Sequence, residues 1–281
     1  MNNKPPSLIK WTGSKRSQAS QIASLFPVKR DATYFEPFLG GGSMLYFGAS
    51  YFSHAVASDI YAPLVDLWQL VKDDSLRVVE SYEMEWQRLQ EKFPAHFFTV
   101  RDRFNRNHAG LDLLFLSRTC VNGIIRFNKK GEFNNSIHLS RRGMQPEMFS
   151  KIVQSWSGKI QNVEFRVCDY GEILSLVNAG DFVYLDPPYV NSHNRYVSDL
   201  DIDRFVRFLR ELNERKVLWA LSFDGERGRS NLTYDLPHDL YVFHTELVSG
   251  HSAVQKVLNS SVEEVRESLY LNYPPPRTTL F

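Results

Sequence analysis

Short apolar runs recur along this chain, separated by stretches whose apolar residues return every three to four positions. Runs near 33–38, 55–59, 163–168, 180–186, 216–223, 240–247 and 267–273 have the length and the β-branched or aromatic content of strands. Between them lie helix-period patterns such as Asp201-Ile202-Asp203-Arg204-Phe205-Val206-Arg207-Phe208-Leu209. Strands alternating with helices predict an α/β fold with a mostly parallel sheet covered on both faces. From about residue 63 to residue 159 helical periodicity takes over, as in Leu64-Val65-Asp66-Leu67-Trp68-Gln69-Leu70-Val71. The expected organisation is one domain over 1–62 and 160–273, a mainly helical insertion over 63–159, and an extended tail over 274–281 that begins with Pro274-Pro275-Pro276.

Three of the strands end in residues that carry chemistry. Asp181-Phe182-Val183-Tyr184-Leu185-Asp186-Pro187-Pro188-Tyr189 delivers a carboxylate, two prolines and an aromatic ring to a strand end. Prolines cannot continue a ladder or donate hydrogen bonds, so the strand stops there with free backbone carbonyls. Asp186 and those carbonyls only accept, and Tyr189 offers a stacking face, a set suited to a flat ring bearing an amine. The plain alternative is a Pro-Pro turn with a capping Asp. Tyr34-Phe35-Glu36-Pro37-Phe38-Leu39-Gly40-Gly41-Gly42-Ser43 runs from a strand through consecutive glycines into the helix-like Met44-Leu45-Tyr46-Phe47, a turn at which a ligand can approach the backbone. Asp59, seventeen positions past Gly42, ends the next strand where a carboxylate can grip a ribose diol.

With these residues the chain resembles the site-specific DNA adenine-N6 methyltransferases typified by the Dam methylases, the alpha group of the D12 class. Ile9-Lys10-Trp11-Thr12-Gly13-Ser14-Lys15 looks like that family's N-terminal cofactor segment, and Asn122-Gly123-Ile124-Ile125-Arg126-Phe127-Asn128-Lys129-Lys130-Gly131-Glu132-Phe133-Asn134 looks like its DNA-contacting segment. The resemblance implies a Rossmann-like S-adenosylmethionine-dependent methyltransferase sheet and makes 63–159 a target-recognition domain. It implies a cofactor site of Trp11, Lys15, Pro37, Phe38, Gly40, Gly42, Ser43, Asp59, Ile60, Asp169 and Asp186, with the catalytic motif at Asp186, Pro187, Pro188 and Tyr189. For DNA it implies Lys10, Asn122, Ile124, Arg126, Asn128, Lys129 and Lys130. The residues alone leave Trp11 open to a core reading, Lys15 to a surface reading and Asp169 to a capping one. Two departures bear on the recognition site. Val121 stands where Dam methylases that act on GATC carry an aromatic residue, and Phe133-Asn134-Asn135-Ser136 replaces Phe-Asn-Val-Pro. Arg126 remains and can bind guanine bidentately, so a G-containing site is expected and GATC stays open.

Charge changes the picture in one place. The chain of 281 residues has a net charge of +1, yet residues 101–142 hold nine Lys and Arg against three Asp and Glu. That excess, interleaved with Asn107, Asn122, Asn128, Asn134, Asn135 and His138, favours a phosphate-binding face able to read base edges over a solvated helix surface. Two distant cysteines, Cys120 and Cys168, exclude a disulfide framework and a zinc site. The polar N-terminus and the absence of a long apolar run make a cytoplasmic protein without a membrane span the expectation.

The expected reaction is methyl transfer from S-adenosylmethionine to N6 of a flipped adenine in double-stranded DNA, leaving S-adenosylhomocysteine and needing no metal. Asp186 and the Pro187 carbonyl would accept from the amine. Cytosine-N4 methylation shares this chemistry, but that family more often has Ser before Pro-Pro-Tyr. Methylation of structured RNA or of protein glutamine, and a DNA-binding module without catalysis, are weaker rivals, given the basic insertion and the complete cofactor motifs. A partner restriction enzyme is one expectation. Docking of the tail Pro276-Arg277-Thr278-Thr279-Leu280-Phe281 on a replication sliding clamp is another, with folding back onto the sheet as its rival.

Overall fold

The computed structural model describes residues 4–27, 29–188, 200–223, 236–251 and 264–276. The seven expected strands are β1 (Thr33–Glu36), β2 (His54–Asp59), β3 (Val163–Val167), β4 (Phe182–Leu185), β5 (Leu218–Phe223), β6 (Phe243–His251) and β7 (Glu264–Leu271). They form one sheet in the order β3-β2-β1-β4-β5-β7-β6. The first five are parallel, and β7 runs antiparallel between β5 and β6. This is the Rossmann-like arrangement anticipated above, with an antiparallel ribbon at one edge. β5 starts two residues later than the apolar run because Lys216 turns the chain at φ 59°.

Side chains alternate across the sheet and build two cores. Tyr34, Ala55, Ala57, Phe182, Tyr184 and Ala220 point to one face, covered by α1 (Ala19–Ala23) and α2 (Leu45–Tyr51). Phe35, Val56, Val183, Leu185, Trp219 and Leu221 point to the other. There the short 3-10 helix Tyr170–Ser175 and α8 (Ile202–Glu214) cover them, α8 contributing Phe205, Phe208, Leu209 and Leu212. Along β1, β2, β4 and β5 both faces are buried, which is why these strands read as nearly unbroken apolar runs.

The connection from β2 to β3 carries α3 (Ala62–Asp73), α4 (Ser75–Glu91), α5 (Ala95–Asn107), α6 (Gly110–Thr119) and α7 (Pro146–Lys159). Beyond α6 the chain makes an excursion closed by antiparallel bridges Cys120↔Ile137 and Phe127↔Phe133. Two of the arginines counted toward a phosphate-binding face are structural. Arg103 binds Asp112 through Nε at 2.9 Å and Glu85 at 3.0 Å, and Glu85 also meets His96 Nε2 at 2.5 Å, so the charge closes a polar network joining α4, α5 and α6. Arg118 is 6% exposed and donates to the carbonyls of Ser7 and Leu8. Burial lowers its pKa to about 10. Among the described residues no helix is long and apolar enough to cross a membrane, and no group of three His, Cys, Asp or Glu could hold a metal ion. Tyr189 and the tail from 277 onward lie outside the described residues.

Candidate active site

The sheet order sets out the acids in a row. Asp186 follows β4, Glu36 ends β1, Asp59 ends β2 and Asp169 lies just past β3, so neighbouring strands bring all four to the carboxyl edge of the sheet. Chain order reverses between β1 and β4, the crevice at which open α/β sheets bind ligands. A cavity of about 370 Å3 opens there. Trp11, Lys15, Pro37, Phe38, Gly40, Ser43, Asp59, Ile60, Asp169, Asp186, Pro187 and Pro188 all line it.

The glycine turn is shaped by its neighbours. Gly40 has φ +47°, and a Cβ there would lie 2.8 Å from Trp11 Cδ1, so only glycine lets the indole close against the backbone. Its N–H donates to Asp59 Oδ2 at 3.1 Å, and the Tyr61 N–H donates to Oδ1 at 3.0 Å. The Ile60 backbone also donates to this carboxylate, which is thereby fixed in orientation. Burial pushes its pKa up to about 6, against the pull of those donors. Gly42 is not among the residues that line the cavity, and at φ +68° it faces Trp68, whose Cζ2 would be 2.7 Å from a Cβ. Its small size serves the packing beneath the turn. Ser43 shares a 2.7 Å hydrogen bond with Ser14, tying the N-terminal segment to the turn.

Asp186 sits in an unusual electrostatic setting. Its side chain is 21% exposed and accepts from Lys15 Nζ at 2.6 Å. Lys15, 3% exposed, also donates to the Gly13 carbonyl at 3.2 Å and lies 4.0 Å from Glu267, so it is no surface charge. Loss of hydration raises the Asp186 pKa to about 6, Lys15 opposes that rise, and Glu267 adds to it. Beside it Glu36 is buried and accepts from Tyr34 Oη at 2.6 Å. Burial holds Glu36 well above the usual carboxylate range, further raised by Asp186. Glu36 and Tyr184 line the cavity but are not among the expected site residues, and Tyr170 lines it in the segment Cys168-Asp169-Tyr170, which in sequence resembles the family's adenine-covering segment. An acid at a strand end before Pro37 is the signal that could have marked Glu36.

At the far end of the row, Phe38 stacks on Tyr170 with ring centroids 5.3 Å apart, and Ile60 is 51% exposed. Asp169 caps the 3-10 helix, its Oδ1 accepting from Gly171 N–H at 2.9 Å while Glu172 answers the Asp169 N–H at 2.8 Å. The capping reading of Asp169 therefore holds, and the carboxylate faces the cavity too.

The DNA-side residues divide. Lys10 packs its stem over Gly123, and Asn122 is exposed in a left-handed conformation at φ 57°. Arg126 is exposed, with Nε bound to Asn134 Oδ1 at 2.8 Å, while Ile125 and Phe127 on either side turn inward to line the cavity. Asn128 is committed to its own turn, accepting from the N–H groups of Lys130 and Glu132 at 2.9 and 3.0 Å and donating to Glu132 Oε2 at 2.8 Å. Asn135 likewise bonds the carbonyls of Val121 and Ile124 at 3.0 and 2.8 Å. Lys129 and Lys130 stand exposed at the tip.

The D12 class N6 adenine-specific DNA methyltransferase family matches this chain over residues 11–249. A type II methyltransferase, M.MjaIII, of Methanocaldococcus jannaschii is 33% identical over 241 residues, which is 76% of this chain and 82% of the relative. A DNA adenine methylase of Haemophilus influenzae is 27% identical over 185 residues, 64% of this chain and 63% of the relative. A type II methyltransferase, M1.LlaDCHI, of Lactococcus lactis subsp. cremoris is 27% identical over 192 residues, 64% of each chain. The matched stretch thus spans most of the archaeal relative and somewhat under two thirds of the two bacterial ones. The match includes the glycine turn, the acid row and Asp186-Pro187-Pro188, and the chain belongs to the D12 class of N6 adenine-specific DNA methyltransferases.

Proposed function

We propose that Asp186 and the Pro187 carbonyl accept hydrogen bonds from the N6 amine of an adenine flipped out of double-stranded DNA, beside S-adenosylmethionine held along the acid row. The residues present fit that donor. Asp59 is held by backbone donors at the cavity wall as an acceptor for a ribose hydroxyl, Gly40 lets Trp11 close against the turn, and Phe38, Tyr170 and Ile60 supply an apolar slot for a purine. At the other end Asp186, with Glu267 near Lys15, places carboxylate charge beside the position of the cofactor's sulfonium. When bound, the cofactor supplies an electrophilic methyl group on a sulfonium.

The observation that carries this reading is the Lys15–Asp186 contact at 2.6 Å at the strand switch. The exocyclic amine of adenine is a weak nucleophile because its lone pair spreads into the ring. Two acceptors drawing on its N–H groups turn that lone pair toward the methyl group, so most of the catalysis is positioning and electrostatics. Lys15 acts behind them as a positioning residue that keeps Asp186 ionised. With a pKa near 6, Asp186 also suits the proton that the amine gives up. Tyr189 is assigned the stacking clamp on the extruded base, since a base inside the duplex cannot reach the cavity.

The helical insertion 63–159 is assigned target recognition, with Arg126 reading a base and Lys129 and Lys130 holding phosphate. The type II names of two relatives support a partner restriction endonuclease; resistance of enzyme-treated plasmid to restriction nucleases of known site tests that. A duplex with 2-aminopurine at the target position tests flipping. Its fluorescence rises on binding if the base leaves the stack, and Tyr189→Ala lowers the rise. An unchanged signal with wild-type protein overturns the flipping reading.

A further inference from the structure

An acid that takes up the amine's proton is poorly served by a lysine at 2.6 Å, because the ammonium favours the charged carboxylate and so weakens it as a base. A second acid is set against that pull. Glu267 on β7 places Oε2 4.0 Å from the same Lys15 Nζ that meets Asp186 Oδ1. The register Phe223↔Ser268 sets Glu267 just beyond the carboxyl end of β5, which lies beside that of β4. One ammonium is thus shared by two carboxylates. All three side chains are at most 21% exposed, so solvent and salt screen these charges little.

Among the described residues, the titratable groups that face Asp186 are Lys15 from the N-terminal segment, Glu36 on β1, Tyr184 on β4 and Glu267 on β7. Burial pushes Glu36 and Tyr184 well above their ordinary ranges and so toward their uncharged forms. Lys15 and Glu267 are then the opposed charges of this set. The lysine lowers the Asp186 pKa and Glu267 raises it.

We propose that Glu267 is a positioning residue for methyl transfer, sharing Lys15 with Asp186 so that the lysine orients the catalytic acid without stripping it of its basicity. This rests on the role of Asp186 proposed above. The amine nitrogen gains a methyl group as the carbon–sulfur bond breaks and the sulfonium leaves as a neutral thioether, and one amine proton passes to Asp186. A carboxylate tied to Lys15 alone accepts that proton less readily, and a carboxylate without the lysine loses its fixed orientation. Two acids on one lysine satisfy both needs.

The pH profiles of kcat and kcat/KM on a short duplex, compared for the whole wild-type protein, Glu267→Gln and Lys15→Met, test this. Glu267→Gln keeps the shape of the side chain and removes its charge. Its acid limb is expected to move down in pH, opposite to the shift of Lys15→Met, with kcat on the plateau lowered roughly threefold or more. Glu267→Asp is expected to return the limb part of the way. Calorimetric titration with S-adenosylhomocysteine, which lacks the sulfonium charge, is expected to show Glu267→Gln binding within about threefold of the wild type, as a folded site requires. An unmoved or upward-shifted limb in Glu267→Gln overturns the proposal, and so does loss of S-adenosylhomocysteine binding together with activity, which reveals a merely structural role. If Lys15→Met also leaves the limb in place, the titration is not that of Asp186, and the proposal falls with that assignment.

Discussion

Lys15 and Asp186 lie 171 positions apart and meet at 2.6 Å, a pairing that neither residue announces on its own. The acid before Pro187-Pro188 was legible because a carboxylate, two prolines and a ring at a strand end serve few other purposes. Its partner was not, since a lysine in a polar segment reads equally as a surface charge. The pairing has a consequence in pH. On the proposed reading Asp186 must be ionised to accept from the amine and take up its proton, and with its pKa raised to about 6 it keeps its own proton below that pH. Activity as kcat/KM should therefore fall as pH drops through about 6 and level off above it. Lys15 lowers the Asp186 pKa, so Lys15→Met should move this acid limb upward in pH as well as reduce turnover on a short duplex. Asp59 also titrates near 6, but its own pulls come from backbone donors at Gly40, Ile60 and Tyr61, so an unmoved limb in Lys15→Met would reassign the titration to Asp59.

Among elements, the glycine turn and the DNA-side excursion show how one residue type takes different roles. Gly42 has both a left-handed φ of +68° and Trp68 within 2.7 Å of a would-be Cβ, whereas Gly131 has φ +77° with nothing within 4 Å. Gly42→Ala should thus cost several kcal/mol, from about 1–3 for overpacking plus the backbone strain, and Gly131→Ala only the strain of about 1. Thermal melts of the two variants check the contrast; equal losses would place the clash elsewhere. On the excursion, Arg126 is held at Nε and Nη2 by Asn134, a frame that we propose aims the guanidinium at a base, while Lys129 and Lys130 stand exposed. Arg126→Ala should cost about 1–3 kcal/mol on the cognate site and relax one position of it, and Lys129→Ala should weaken all sequences alike and flatten the salt dependence. Selection on randomised duplexes distinguishes them, an unchanged site preference in Arg126→Ala being the adverse result. Asn128 and Asn135 show the limit of reading polarity from sequence. Their side chains bond their own backbone, a choice set by the local turn and invisible in composition.

For the whole molecule, β1, β2, β4 and β5 were legible because both faces of the sheet are buried there and leave nearly unbroken apolar runs. The strand order was not readable from periodicity, and only that order puts Asp186, Glu36, Asp59 and Asp169 in a row and lets Arg204 on α8 reach Asp169. The same holds for charge. Composition revealed a basic stretch, while the fold withdraws Arg103 and Arg118 from it into the protein. The central claim is that Asp186 serves amine methylation of adenine in DNA. Its most direct test is mass analysis of nucleosides from plasmid incubated with S-adenosylmethionine and either wild-type or Asp186→Ala protein. The account predicts N6-methyldeoxyadenosine with the wild type and less than about a tenth of that turnover with the variant, whose DNA binding persists. N4-methyldeoxycytidine as the product, or an Asp186→Ala protein that methylates adenine at a comparable rate, would contradict it.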